Sequence, residues 1–243
     1  MLCVSSNQSV SLSFLPYLTG GVLLGTATVT HAIARFTTRK HVGLSLLCKS
    51  GGKPPAKYVF ICGFLFSSVL IGITGNLASI PALVSSSLLI RISGWIQLCM
   101  GWISAGCLAG FATISVYDNE TWHNTLAYSF AFFGMLFEIS AAIAKSSATR
   151  VALVSLNVLF ILVMLGVAQF EYVMANGMNS PTGFARSRLV SAGPVDEPYS
   201  PQPASTGVKV WSALQFFNIM ISAGFLLTFV SELSQFSIVF STT

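Results

Sequence analysis

GWISAGCLAGFATISVYDNETWHNTLAYSFAFFGMLFEISAAIA, residues Gly101–Ala144, is two apolar runs joined by a polar turn, Tyr117–His123. A single carboxylate, Glu138, stands inside the second run. The second run is about the 20 residues that a helix needs to cross hydrocarbon, and the first reaches that length by continuing back to Ile92, so the stretch reads as a membrane hairpin. A charge facing lipid costs several kcal/mol, so Glu138 has to face inward, be paired or be protonated.

Outward from this hairpin the pattern repeats. Only 8% of the 243 residues are charged, against about 25% in soluble domains. No Asp, Glu, Lys or Arg occurs in residues 1–34, 58–90, 92–117, 151–170 or 210–231. The expected fold is therefore all-α, a polytopic bundle in one domain over residues 1–243. Its six transmembrane helices are expected at about Phe14–Ala34, Tyr58–Ile80, Ile92–Ser115, Trp122–Ala144, Val151–Val173 and Val208–Val230. The last is expected to continue amphipathically through Glu232 towards Phe240. No Lys or Arg precedes the first run, which predicts a retained span and not a cleaved signal peptide. A basic loop fills 35–57. Residues 176–207 hold five of the nine prolines and read as a mobile loop. Six crossings put both termini on one side.

These features exclude several functions. The net charge of +5 belongs to loops and forms no visible surface for nucleic acid; membrane lipid is the expected partner, with proteins reached through the loops. Cys62, Cys99 and Cys107 lie in apolar runs and read as small packing residues. There is no G-x-S-x-G, H-E-x-x-H or P-loop, so no catalytic residue and no cofactor is expected. Asp118, Glu120 and His123 are metal-ligand types within one turn, but a solvated turn capping the fourth helix, through Asp118 or Thr121, explains them more simply. Trp102, Trp122, Tyr128, Tyr172 and Trp211 read as interfacial anchors. Small residues four apart, at Gly21/Gly25, Gly63/Ser67, Ser68/Gly72 and Gly106/Gly110, offer faces for close helix packing.

The polar residues within the spans carry the most information. At about 1.5 Å rise per residue, Glu138 lies about 10 Å in from Lys145 and Asn157 equally far in from Arg150. Gln97, after Arg91, and Asn76, before Pro81, fall near the same level. The expectation is one polar layer, Asn76, Gln97, Glu138 and Asn157, in the half of the bundle nearest the termini. Such a layer binds a lipid headgroup or ion, or serves as structural glue holding the helices in register.

Certain short motifs carry a resemblance. Pro54-Pro55 ahead of the second span, His123 with Ala127 and Gly134, and Trp211 followed by Thr228, Phe229 and Glu232 are similar to elements of the damage-regulated autophagy modulator (DRAM) family. That family includes the FRAG-type Golgi proteins. Ala56 stands where an acidic residue follows the prolines in that family, and Val210 where a Glu precedes the Trp. The resemblance implies a non-enzymatic protein of lysosomal, endosomal, Golgi or plasma membranes, acting in autophagy, lipid handling or kinase recruitment, with cytosolic termini. Charge implies the opposite orientation, because loops 35–57 and 174–209 carry nine of the twelve Lys and Arg. The sequons at Asn7 and Asn119 lie on opposite faces and distinguish the two orientations. Three functional classes follow: a membrane regulator or scaffold; a transporter, channel or lipid-moving protein using the polar layer; or a structural subunit of a larger complex.

Overall fold

Backbone in hydrocarbon must satisfy its own N–H and C=O groups, and the uncharged runs do so as helices. A computed structural model describes residues 8–37, 47, 51–176 and 206–240. A short strand, β1 (Gln8–Ser11), precedes six long helices: α1 (Phe14–Thr37), α2 (Ala56–Leu83), α3 (Leu88–Thr113), α4 (Glu120–Ala144), α5 (Ala148–Asn176) and α6 (Thr206–Leu227). One helical turn, α7 (Val230–Leu233), and a strand, β2 (Ser237–Phe240), follow. Among the described residues five stretches are long and apolar enough to cross a membrane: Ala56–Leu83, Leu88–Thr113, Thr121–Ala144, Ala148–Gly166 and Ala213–Leu233. The chain thus has the make-up of a multi-pass membrane protein.

Helix α1 is not among those five. Its four threonines between 19 and 30, its three glycines and His31 dilute its apolar character. Those same residues let it pack. Thr19, Gly20, Leu23, Thr26, Ala27 and Thr30 form its buried face. Thr19 Oγ1 donates to Leu15 O at 2.8 Å, so Thr74 of α2 is the donor in the 2.8 Å Thr19–Thr74 hydroxyl bond. Each helix packs on the next in chain order, and α6 returns to α1, closing a ring.

Small residues set several of these contacts. A Cβ at Gly63 would collide with Thr26 of α1 and one at Gly72 with the Trp102 ring, while one at Gly110 would press tightly on Leu126. The pair Gly21/Gly25 and Gly106 do not act in this way, because each faces open space. Gly20, one residue earlier, approaches the backbone of Ala223 on α6 instead.

Four further expectations change. The cap of α4 is Asn119, whose side chain accepts from Trp122 N at 3.0 Å; Asp118 instead pairs with Lys57 at 3.8 Å. Trp102 stands midway along α3, not near an end, with its ring over Gly72. Pro81 sits inside the last turn of α2 and does not end it. The final helix stops at Leu227, and residues 237–240 form a strand that pairs antiparallel with β1, Val10 opposite Ile238. Most of the loops at 35–57 and 176–207 lies outside the described residues, as do Asn7, Cys3, Cys48 and the side chains of Glu120, Tyr172 and Trp211.

Candidate functional site

The turn between α4 and α5 determines what meets inside the bundle. Glu138 precedes Lys145 by as many residues as Asn157 follows Arg150, so antiparallel packing brings the two to one height. Glu138 is 4% exposed and Asn157 2%. Asn157 Nδ2 donates to Glu138 Oε2 at 2.6 Å, and Asn218 Nδ2 of α6 donates to Asn157 Oδ1 at 2.5 Å. Asn157 donates through its Nδ2 to one neighbour and accepts through its Oδ1 from the other, using both ends of its amide. The chain of bonds runs through the carboxylate, which also bonds the Ser222 side chain, and ties α4, α5 and α6 together.

Beside Glu138 lies a cavity of about 30 Å³ near the axis of the ring. Leu23 of α1, Ile71 of α2, Ser104 of α3 and Ser222 of α6 help to line it. Its polar groups are few: Glu138, Ser104 and Ser222. Ser104 donates to Phe130 O at 3.2 Å and keeps its lone pairs for another donor. The space suits one or two waters or a small ion; a lipid headgroup does not fit.

Two members of the expected layer stand apart. Asn76 is exposed, on the outer face of α2. Its direction differs from the expectation, and because α2 runs on through Pro81 to Leu83 it lies seven residues from the helix end, not five. Gln97 is buried at 1%, yet its Nε2 has no hydrogen-bond partner among the described residues. The cluster is therefore Glu138, Asn157 and Asn218, with Ser222 at its edge.

A second cluster closes the end of the bundle nearest the termini. Arg150, 3% exposed, and Glu232, 5% exposed, are bonded at 2.8 Å. Arg150 Nε donates to Thr228 Oγ1 at 2.9 Å and Nη2 to Thr228 O at 3.0 Å, while Nη1 donates to Lys145 O at 3.3 Å. Its guanidinium also lies over the Phe229 ring, 4.6 Å from the centroid. Lys145 Nζ reaches Glu232 at 3.2 Å. Thr228, Phe229 and Glu232, three of the motif residues, thus converge on one arginine, which ties the α4–α5 turn to the end of α6. The planar, always-charged guanidinium suits this role, since it presents several donors at once.

The other motif residues lie elsewhere. His123 is buried; its Nδ1 meets Ile114 O at 2.5 Å and its ring packs on Phe111, 4.5 Å between centroids. It is a packing residue linking α3 to α4. Pro54 and Pro55 are exposed before α2, joined by a cis peptide bond. Asp118 is engaged by Lys57 and His123 by Ile114, and no group of three His, Cys, Asp or Glu able to hold a metal occurs among the described residues.

Sequence reasoning missed Asn218 and the role of Arg150. Asn218 is an amide in an uncharged run, the same signal that Asn157 gives. No charge marks the end of its helix before Glu232, which hides its depth. Arg150 reads as a loop charge until the break at 228–229 folds Glu232 back over it. Comparison with known proteins found no matching family model, curated protein or solved structure.

Proposed function

We propose that this chain is an integral membrane protein of six crossings that works without turnover, as a membrane regulator or scaffold. The observation that carries this reading is the closed polar chain. Glu138 is engaged by Asn157, Asn157 is held by Asn218, and the adjoining cavity of about 30 Å³ is too small for a lipid or organic solute. A buried polar network of this kind fixes helix register, because its members have no other partners in hydrocarbon.

The sixth crossing is supported by the pairing of β1 with β2, which places the two ends of the bundle's chain together. Five crossings between them would leave them on opposite faces. The short motifs shared with the autophagy-modulator family support a regulatory role in lysosomal, Golgi or plasma membranes with cytosolic termini. They are the ground for that part of the proposal.

One observation favours a second reading, transport of a small cation: the cavity opens on a carboxylate. Reconstitution into vesicles separates the two. The scaffold reading predicts that cation flux and labelled-lipid movement match those of empty vesicles, for wild type and Glu138→Gln alike. Flux above empty vesicles that disappears in Glu138→Gln would overturn it in favour of transport.

A further inference from the structure

Asn76 is a polar side chain that the bundle leaves on its outer face. It stands seven residues before Leu83, the end of α2, so it lies about 10 Å along the helix from that end. Glu138 stands as far from Lys145. Unlike Glu138, Asn76 points away from the ring: it is exposed, and its side chain makes no hydrogen bond among the described residues. A free carboxamide facing acyl chains has two donors and an acceptor that lipid tails cannot satisfy.

The surface around Asn76 has a regular seam. Cys62, Phe66, Val69, Ile73 and Asn76 are all exposed and follow one another at alternating intervals of four and three. That is the spacing of a helix face that packs knobs-into-holes against a partner helix, with a single polar residue in an apolar row. Lipid covers an apolar stripe at no cost, so the spacing alone requires no partner. The amide is what requires one.

We propose that α2 is a homodimerisation face, on which Asn76 of one copy hydrogen bonds Asn76 of a second copy. The chemistry favours a second copy over other occupants. A carboxamide is its own complement: each of two can donate to the other's oxygen while accepting from the other's nitrogen. Two copies inserted in one membrane share an orientation, so a two-fold axis along the membrane normal brings equivalent positions of α2 to the same depth. Asn76 therefore meets Asn76 without any shift of register. Ile73, one turn away, and Val69, two turns away, supply the apolar contacts beside the pair, and Cys62 lies two heptads along the same row.

Cys62 makes the proposal testable with a native residue. In the full chain with Cys3, Cys48, Cys99 and Cys107 changed to Ser, mild copper–phenanthroline oxidation in the membrane should give a covalent dimer through Cys62. The chain that keeps only Cys99, exposed on α3, should stay monomeric. Asn76→Leu should slow and reduce the Cys62 cross-link relative to wild type, and Asn76→Gln should keep it. With all cysteines native, dilution of purified protein into lipid nanodiscs should show Asn76→Leu dissociating at about tenfold higher protein density than wild type. Because Asn76 is exposed, each variant should retain the helical circular dichroism of wild type. The proposal fails if wild type is monomeric at every density tested, or if Asn76→Leu cross-links and associates as wild type does. Cross-linking through Cys99 in place of Cys62 also overturns it, as does capture of a different membrane protein through Asn76.

Discussion

Asn157 is the residue on which the interior depends, because it both donates to Glu138 and accepts from Asn218. Glu138→Gln keeps an acceptor oxygen at the same place and should leave thermal stability close to wild type. Glu138→Leu removes that acceptor and leaves a buried amide donor unpaired, a loss of about 1–3 kcal/mol, read as a fall in melting temperature of roughly 2–10 °C. A melting temperature for Glu138→Leu equal to that of Glu138→Gln would remove the network from the account. Arg150 poses the sharper case. Arg150→Met strands Glu232 in a buried position with the half-exposed Lys145 and the Ser231 hydroxyl left to it, which should cost about 3–5 kcal/mol. Arg150→Met combined with Glu232→Leu should recover much of that loss, since a buried ion pair replaced as a whole by apolar groups is often close to neutral. If the double variant is less stable than the sum of the single losses, the pair contributes more than mutual neutralisation.

At the scale of the helices, close approach decides the packing. Helix α2 comes near α1 where Gly63 meets Thr26, and branched bulk there has no room. Gly63→Val should destabilise the bundle by about 1–3 kcal/mol, whereas Gly21→Val, facing open space, should be nearly silent in a thermal melt. Equal effects at the two sites would contradict this packing. The helices were legible in the sequence because lipid leaves an uncharged run of some 20 residues few other conformations. Depth was legible too: Glu138 and Asn157 can be counted in from Lys145 and Arg150 with the helical rise. Azimuth was not. Helix α2 is apolar almost all round, so nothing in its sequence distinguishes the inward side, with Thr74 and Ser79, from the outward side, with Asn76. The break at Thr228–Phe229 was hidden for a similar reason. Apolar residues continue across it, and only the Arg150 contacts explain why the helix ends there.

For the whole molecule, the informative element is the smallest one. Strands β1 and β2 are four residues each, too short and too ordinary in composition to be found by pattern, yet they bring together the two ends of the described chain. Their pairing and the Arg150–Glu232 ion pair lie at one end of the bundle, while α6 packs along α1 from Ala223 against Gly20 to Phe216 against His31. The proposed six crossings fit this arrangement, with α1 as the crossing that its threonines and glycines would disguise. Single cysteines in a chain otherwise free of cysteine, labelled from one side with a membrane-impermeant maleimide, test this most directly. Cysteines at Ser9, Ser86 and Ser237 should react from the same side, and one at Asp118 only from the other. Labelling of Ser9→Cys and Ser237→Cys from opposite sides would contradict the six-crossing bundle.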